Sequence, residues 1–188
     1  VAAARKERGL EENTVVIFSS DNGGLTPNTS NYPLLGGKSL GYEAGFRVPW
    51  IVKWVGRVKP GSMDASRVMQ IDLYPTFLEM AGARTRQRLD GVSLMPLLSG
   101  TGRLVERPLF FHFPSYTGYT GPLSAVIARD WKLIRYYNDA DGRHQLFDLR
   151  RDPYELTDRA EAAPAKVREL GALLDGFLKE TGAEMPVR

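Results

Sequence analysis

The sequence predicts an α/β fold in two parts: residues 1–105 as the later portion of a mainly parallel sheet with its helices, and 106–188 as a small antiparallel sheet packed on a helix. Three observations carry this expectation. The apolar run Val15-Val16-Ile17-Phe18 is continuous rather than alternating, as in a strand covered on both faces. From Arg107 onward the chain turns into short aromatic and β-branched segments separated by turn residues. Near the end, Val167, Leu170, Leu174, Phe177 and Leu178 recur at helical spacing, so one face of a helix there needs an apolar partner.

Taken in order, Ala2 to Arg8 are good helix formers and Gly9 stands where a C-terminal cap belongs, so the chain reads as opening inside a helix and as truncated. Asn13 and Thr14 lead into the apolar run, which ends at Ser19-Ser20-Asp21-Asn22. From Asp21 to Val48 the pattern is a loop, with glycines at 23, 24, 36, 37, 41 and 45. Loops of that length are usually functional or disordered. Trp50 to Val55 returns to strand character and closes at Pro60-Gly61. Asp72 is placed to cap a helix over Leu73–Ala81, with Pro75 in its first turn and Gly82 as its stop. A basic linker, Arg84 to Arg88, precedes a short helical stretch from Ser93 to Leu98 that stops at Gly100.

The expected strands of the second part are Phe110–Phe113, Ser124–Arg129, Lys132–Tyr137 and Gln145–Leu149, with turn signals at Asp130-Trp131 and Asp141-Gly142. The final helix opens at Pro164. Phe111, Val126, Ile127, Leu133 and Phe147 offer it an apolar cover.

Composition narrows the function. The 25 basic and 22 acidic side chains leave a net charge of +3 without a basic stripe, which argues against nucleic-acid binding. No apolar run approaches the length of a membrane span, and the opening residues do not form a signal peptide. Cysteine is absent, so these residues supply no disulfide, no thiolate ligand and no cysteine nucleophile. With only His112 and His144, a histidine-rich zinc centre built from this chain is not expected.

Three places could carry chemistry. Asp21-Asn22 follows an apolar strand, where open α/β sheets place their ligands, and both side chains offer the oxygen that calcium or magnesium prefers. An Asx turn leaving a strand explains the same dipeptide. Lys38, in Leu35-Gly36-Gly37-Lys38-Ser39, has glycines that let backbone approach an oxyanion while its ammonium supplies charge and three donors. A solvated surface lysine is the alternative, and the Walker spacing of a phosphate loop is missing. His112, between Phe111 and Phe113, is a candidate for substrate contact, set against an ordinary half-buried strand histidine. Glu43 and Arg47 are expected to pair with each other or to brace the loop.

Those motifs, with their order, resemble the second half of the type I sulfatases of the alkaline phosphatase superfamily. The resemblance runs through Ser20-Asp21-Asn22-Gly23, Gly36-Gly37-Lys38, Tyr42-Glu43-Ala44-Gly45-Phe46-Arg47-Val48-Pro49, Ile71-Asp72-Leu73-Tyr74-Pro75-Thr76-Phe77 and Leu89-Asp90-Gly91-Val92-Ser93-Leu94. It continues through Arg107-Pro108-Leu109-Phe110-Phe111, Leu146-Phe147-Asp148-Leu149 and Asp152-Pro153-Tyr154-Glu155-Leu156, and so covers nearly the whole chain.

What the resemblance implies is an alkaline-phosphatase-like sheet, a calcium site (magnesium being the alternative) completed by Asp21 and Asn22, and contact between Lys38 and the transferred sulfate group. It implies a sulfated small molecule or carbohydrate as substrate and a periplasmic or secreted location. The nucleophile of such enzymes is a hydrated formylglycine made within a Cys/Ser-x-Pro-x-Arg motif. That motif does not occur in these residues. It is expected in an N-terminal half that partners this one, and the 188 residues alone are expected to be inactive. A phosphodiesterase or phosphonate hydrolase of the same superfamily is the nearest rival, although those relatives commonly carry His where Asn22 stands. A non-catalytic module is the rival from another class.

Overall fold

The computed structural model describes residues 2–117, 120–138 and 142–187. In chain order the elements are helix α1 (Ala2–Glu7), strand β1 (Val16–Ser19), helix α2 (Glu43–Phe46), strand β2 (Trp50–Lys53), helices α3 (Leu73–Met80) and α4 (Met95–Leu98), strands β3 (Leu109–Phe113), β4 (Leu123–Ala128), β5 (Trp131–Tyr136) and β6 (His144–Asp148), and helix α5 (Pro164–Thr181). They form two compact units: Val1–Ser19 with Pro49–Glu106, and Ser20–Val48 with Arg107–Arg188. The sequence reading divides the chain at 105/106; the units divide beside that point and also place residues 20–48 with the C-terminal sheet.

In the first unit β1 and β2 pair antiparallel, Val16 opposite Lys53 and Phe18 opposite Ile51. Phe18 and Ile51 are 61% and 62% exposed, so the strand read as buried on both faces of a parallel sheet is, within this unit, half-covered and antiparallel. The apolar run marks a strand able to be buried twice. Of that run, Val15, Val16 and Ile17 are partly covered and Phe18 is exposed.

Asp72 also differs from its expected role. It occupies the position before α3, but its side chain makes no cap bond. Its carboxylate instead accepts the backbone N–H groups of Met69 at 2.8 Å and Val92 at 2.9 Å. The Thr76 hydroxyl donates to the Asp72 carbonyl and accepts the Leu94 N–H at 2.9 Å. Gly91 packs on the Ile71 carbonyl so closely that a Cβ there would stand 2.1 Å from it. Asp72, Thr76 and Leu94 are buried, so the Leu89–Leu94 motif is stapled to the Ile71–Phe77 motif by satisfied polar groups.

The second unit is built on a four-stranded antiparallel sheet in the order β3-β4-β5-β6. Arg129, at φ 51, makes the left-handed corner of the tight β4–β5 connection. Of the other expected turn, Gly142 is left-handed at φ 62, and Asp141 lies outside the described residues.

Register divides the sheet into two faces. Phe110, Ser124 with Val126, Leu133 with Arg135, and His144 with Leu146 share one face; Phe111, Ala125 with Ile127, Lys132 with Ile134, and Gln145 with Phe147 share the other. Helix α5 covers the first face. Its Leu170, Leu174 and Leu178 are buried with Val126, Leu133 and Leu146, and Phe177 stacks on Phe110 with ring centroids 4.3 Å apart. Of the five cover residues expected for this helix, Val126 and Leu133 therefore serve it, whereas Phe111, Ile127 and Phe147 belong to the opposite face. Periodicity locates a helix and its stripe, but only strand register decides which side of a sheet the stripe meets.

Candidate active site

The glycine loop 20–48 packs on that opposite face. Phe46 of α2 stacks on Phe111 with centroids 4.1 Å apart and planes 4° from parallel. Tyr42 meets Phe147 edge-on at 6.0 Å, and its hydroxyl donates to Gln145 Oε1 at 2.9 Å. The Tyr136 hydroxyl donates to the same oxygen at 2.8 Å; burial, joined by its neighbour Tyr42, pushes the Tyr136 phenol far above the usual tyrosine range. Gly41 lies against Ile134 and Leu123, where a Cβ would come within 3.0 Å of the Ile134 side chain. Both faces of this sheet are thus occupied, which is why its central strands are buried almost without alternation.

Within the loop, main chain packs on main chain. The Gly23 N–H donates to the Gly45 carbonyl at 3.1 Å, and a Cβ on Gly23 would stand 1.6 Å from the Ala44 oxygen. The Ala44 N–H donates to Leu35 at 3.3 Å, and the Lys38 N–H to Gly24 at 3.0 Å. Asn31 clasps both sides, its Nδ2 donating to the carbonyls of Gly24 at 2.9 Å and Gly36 at 3.1 Å. Leu40 closes a turn on the Gly37 carbonyl at 3.0 Å, with Ser39 at φ 70 in its third position. Lys38 is therefore the outer corner of a turn, exposed, with its backbone fixed on both sides.

Asp21, Asn22 and Lys38 lie in the same loop, 20–48, where the Lys38 N–H meets the Gly24 carbonyl. Ser20 Oγ donates to the Asn22 carbonyl at 2.9 Å and approaches Asp21 Oδ1 at 3.4 Å, the local hydrogen bonding expected of a turn. Asp21 is exposed and Asn22 half-buried. Two oxygen-bearing side chains on adjacent residues fit a hard cation in donor chemistry, as part of a ligand set of six to eight for calcium. Among the described residues, no group of three or more His, Asp or Glu side chains could hold a metal by itself.

His112 stands apart from these three. Its Nδ1 pairs with Ser124 Oγ at 2.7 Å and its Nε2 with the Glu184 carbonyl at 2.8 Å, and Ser124 Oγ continues to the Tyr137 hydroxyl at 2.8 Å. Both ring nitrogens are thus engaged, Nδ1 in a half-buried contact and Nε2 in an exposed one, as an ordinary strand histidine would be.

Sequence reading missed the charge cluster under α2. Lys132 is fully buried, its Nζ 2.8 Å from Glu155 Oε1 and 3.2 Å from Glu43 Oε1, with the Phe46 ring centroid at 5.0 Å. Glu155 Oε2 accepts the N–H of Glu43 at 2.5 Å, while its Oε1 faces Lys132 as an ion pair outside hydrogen-bond geometry. Burial pushes the Glu155 carboxyl up; the Lys132 charge and the Glu43 N–H pull it back. Glu43 thus braces the loop through Lys132 rather than through Arg47, which is exposed. The available signal was a lysine inside an otherwise apolar strand, Trp131-Lys132-Leu133-Ile134.

Comparison with known proteins defines the class first: the fold is that of the sulfatases. The crystal structure of Ps i-CgsB superposes with a TM-score of 0.81 at 28% identity, covering 94% of this chain and 39% of that one. A protein solved in complex with its substrate D-glucosamine-2-N,6-O-disulfate superposes with a TM-score of 0.79 at 25% identity, covering 98% of this chain and 38% of that one.

The family model described as N-sulphoglucosamine sulphohydrolase, C-terminal, matches residues 36–180, and the chain belongs to that family. Among relatives, a sulfatase of Formosa agariphila is 36% identical over 174 residues, covering 86% of this chain and 31% of its own length. Arylsulfatase K of Xenopus laevis is 33% identical over 177 residues, covering 90% and 32%. An N-acetylglucosamine-6-O-sulfatase of Bacteroides thetaiotaomicron is 29% identical over 180 residues, covering 92% and 31%. The chain spans about a third of the length of the curated relatives it matches.

Proposed function

We propose that the whole protein hydrolyses sulfate esters of carbohydrates by attack at sulfur, with Asp21 and Asn22 supplying part of a calcium site and Lys38 contacting the sulfate group. The observation that supports this reading is the hydrogen bond from the Lys38 backbone N–H to the Gly24 carbonyl, which joins the turn carrying Lys38 to the chain two residues after Asn22. The carbohydrate class is supported by a relative named N-acetylglucosamine-6-O-sulfatase and by similar structures solved with k-i-k-neocarrahexaose and with D-glucosamine-2-N,6-O-disulfate.

Sulfate-ester cleavage concentrates negative charge on the sulfuryl oxygens and the departing oxygen. Lys38 offers a compact positive charge with three donors to either, carried on a flexible stem whose backbone is anchored in the turn. Asp21 supplies the charged ligand and Asn22 a neutral one, so the pair holds a cation without fully neutralising it. A divalent cation bound there supplies charge neutralisation to the sulfate oxygens. The nucleophile, a formylglycine in this reading, belongs to sequence outside these 188 residues.

The test is the whole protein with Asp21→Ala. Calcium affinity by isothermal titration and turnover of a sulfated sugar should fall together; unchanged calcium binding and unchanged turnover would overturn the assignment.

A further inference from the structure

Resting on the sulfatase reading above, we infer that Glu155 and Lys132 are positioning residues, which through α2 hold the Asp21-Asn22 turn and the Lys38 turn in register with each other.

Helix α2 is the strut between the two halves of the site. Its Gly45 carbonyl receives the Gly23 N–H, next to Asn22, and its Ala44 N–H reaches Leu35 at the start of the Lys38 turn. Gly45 also lies so close to the carbonyls of Leu40 and Gly37 that a Cβ would meet them at 2.2 and 2.8 Å. Four residues of helix have little stability of their own, because the first turn fixes several residues for one bond. What fixes α2 is therefore its attachment to the sheet.

That attachment is partly aromatic, through Phe46 and Tyr42, and partly ionic. The ionic part has the features of a position-setting device. Glu155 reaches the first N–H of α2, so it fixes main chain rather than a mobile side chain. It does so from a left-handed backbone, φ 57, which a residue with a Cβ adopts only where the surroundings impose it. Lys132 is fully buried between two carboxylates, an arrangement that contributes little to net stability compared with an apolar core but admits few alternative geometries. Rigid aromatic stacking holds α2 on the sheet, and the charge cluster selects where along the sheet it rests.

The experiment compares Glu155→Gln and Glu155→Asp with Leu174→Ala in the whole protein, with Lys38→Ala as reference. Leu174 lies in the core on the far face of the same sheet, so its variant loses stability without touching α2. Three readouts are taken below the melting temperature: kcat, calcium affinity, and hydrogen exchange at the amides of Gly23, Lys38 and Ala44. The Glu155 variants should lose about tenfold to a hundredfold in both kcat and calcium affinity, as for lost supporting contacts of a metal site. Their three loop amides should exchange faster while those of α5 do not. Leu174→Ala should leave all three readouts unchanged.

Glu155 variants that are folded but keep wild-type kcat, calcium affinity and amide exchange overturn the inference. So does failure of both to fold, since the cluster would then determine the fold rather than the loop position. Absence of sulfate release by the wild type, with faster loop exchange in the Glu155 variants, would sink the sulfatase reading and leave the positioning role standing.

Discussion

The backbone N–H of Lys38 donates to the carbonyl of Gly24 at 3.0 Å, so the turn that presents the lysine and the turn that follows Asn22 are joined by one hydrogen bond. Gly37, beside it, leaves no room: a Cβ there would stand 2.5 Å from the same carbonyl, 2.7 Å from Asn31 Nδ2 and 2.7 Å from Thr26 Oγ1. Gly37→Ala should therefore part the two turns while leaving the sheet intact. A displacement of ångström scale at a reacting group costs on the order of a hundredfold in rate, and steady-state kinetics should show a fall of about that size in kcat. Circular dichroism should remain that of the wild type.

On the far face of the sheet, substitutions should change stability alone. Leu174 is completely buried among Val126, Leu133, Leu146, Leu170 and Leu178. Leu174→Ala should cost about 2–5 kcal/mol in chemical denaturation, from lost burial and the cavity left behind. Gly176, in the exposed middle of α5, has nothing within 4 Å of a Cβ built there. Gly176→Ala should stabilise by roughly 0.5–1 kcal/mol, by removing backbone freedom that glycine loses on folding.

These contrasts also show what was legible in the sequence. The four strands of the small sheet and helix α5 were readable because aromatic and β-branched runs, and a stripe at helical spacing, are local patterns. Asp21, Asn22 and Lys38 could be singled out as candidates because their motifs lie within one stretch of chain. Glu155, Lys132 and Glu43 were not, since 112 and 89 residues separate Glu43 from its two partners and no local pattern encodes which face of a sheet a loop will cover. Asp72 shows the same limit at short range. A residue placed to cap a helix spends its carboxylate on Met69 and on Val92, which the chain brings back only through the Gly91 turn.

His144 gives a dependence on pH whose sign follows from its neighbours. Burial, then the Arg135 charge, pushes its imidazole below the ordinary value of 6.5, while Asp175 pulls the other way. Its Nε2 accepts a hydrogen bond from Arg135 Nε at 3.2 Å, so the neutral ring is the form the fold prefers. The folded value is depressed, so the unfolded chain binds this proton more readily. Stability from this residue is fully present above 6.5 and is lost as pH falls through the folded value. In denaturant titrations at a series of pH values, His144→Gln should show a shallower loss of stability below 6.5 than the wild type. Equal slopes would mean that the ring is not held neutral.

The central claim is that Lys38 acts on the sulfate group held beside Asp21 and Asn22. It is tested most directly by steady-state hydrolysis of a sulfated sugar by the whole protein, in saturating calcium, with Lys38→Ala against the wild type. Lys38 is exposed, so its removal should leave the fold and calcium binding unchanged. Loss of a preorganised donor to developing charge predicts a fall in kcat of about a hundredfold or more. A variant that is folded, binds calcium normally and turns over within a few fold of the wild type would contradict the account.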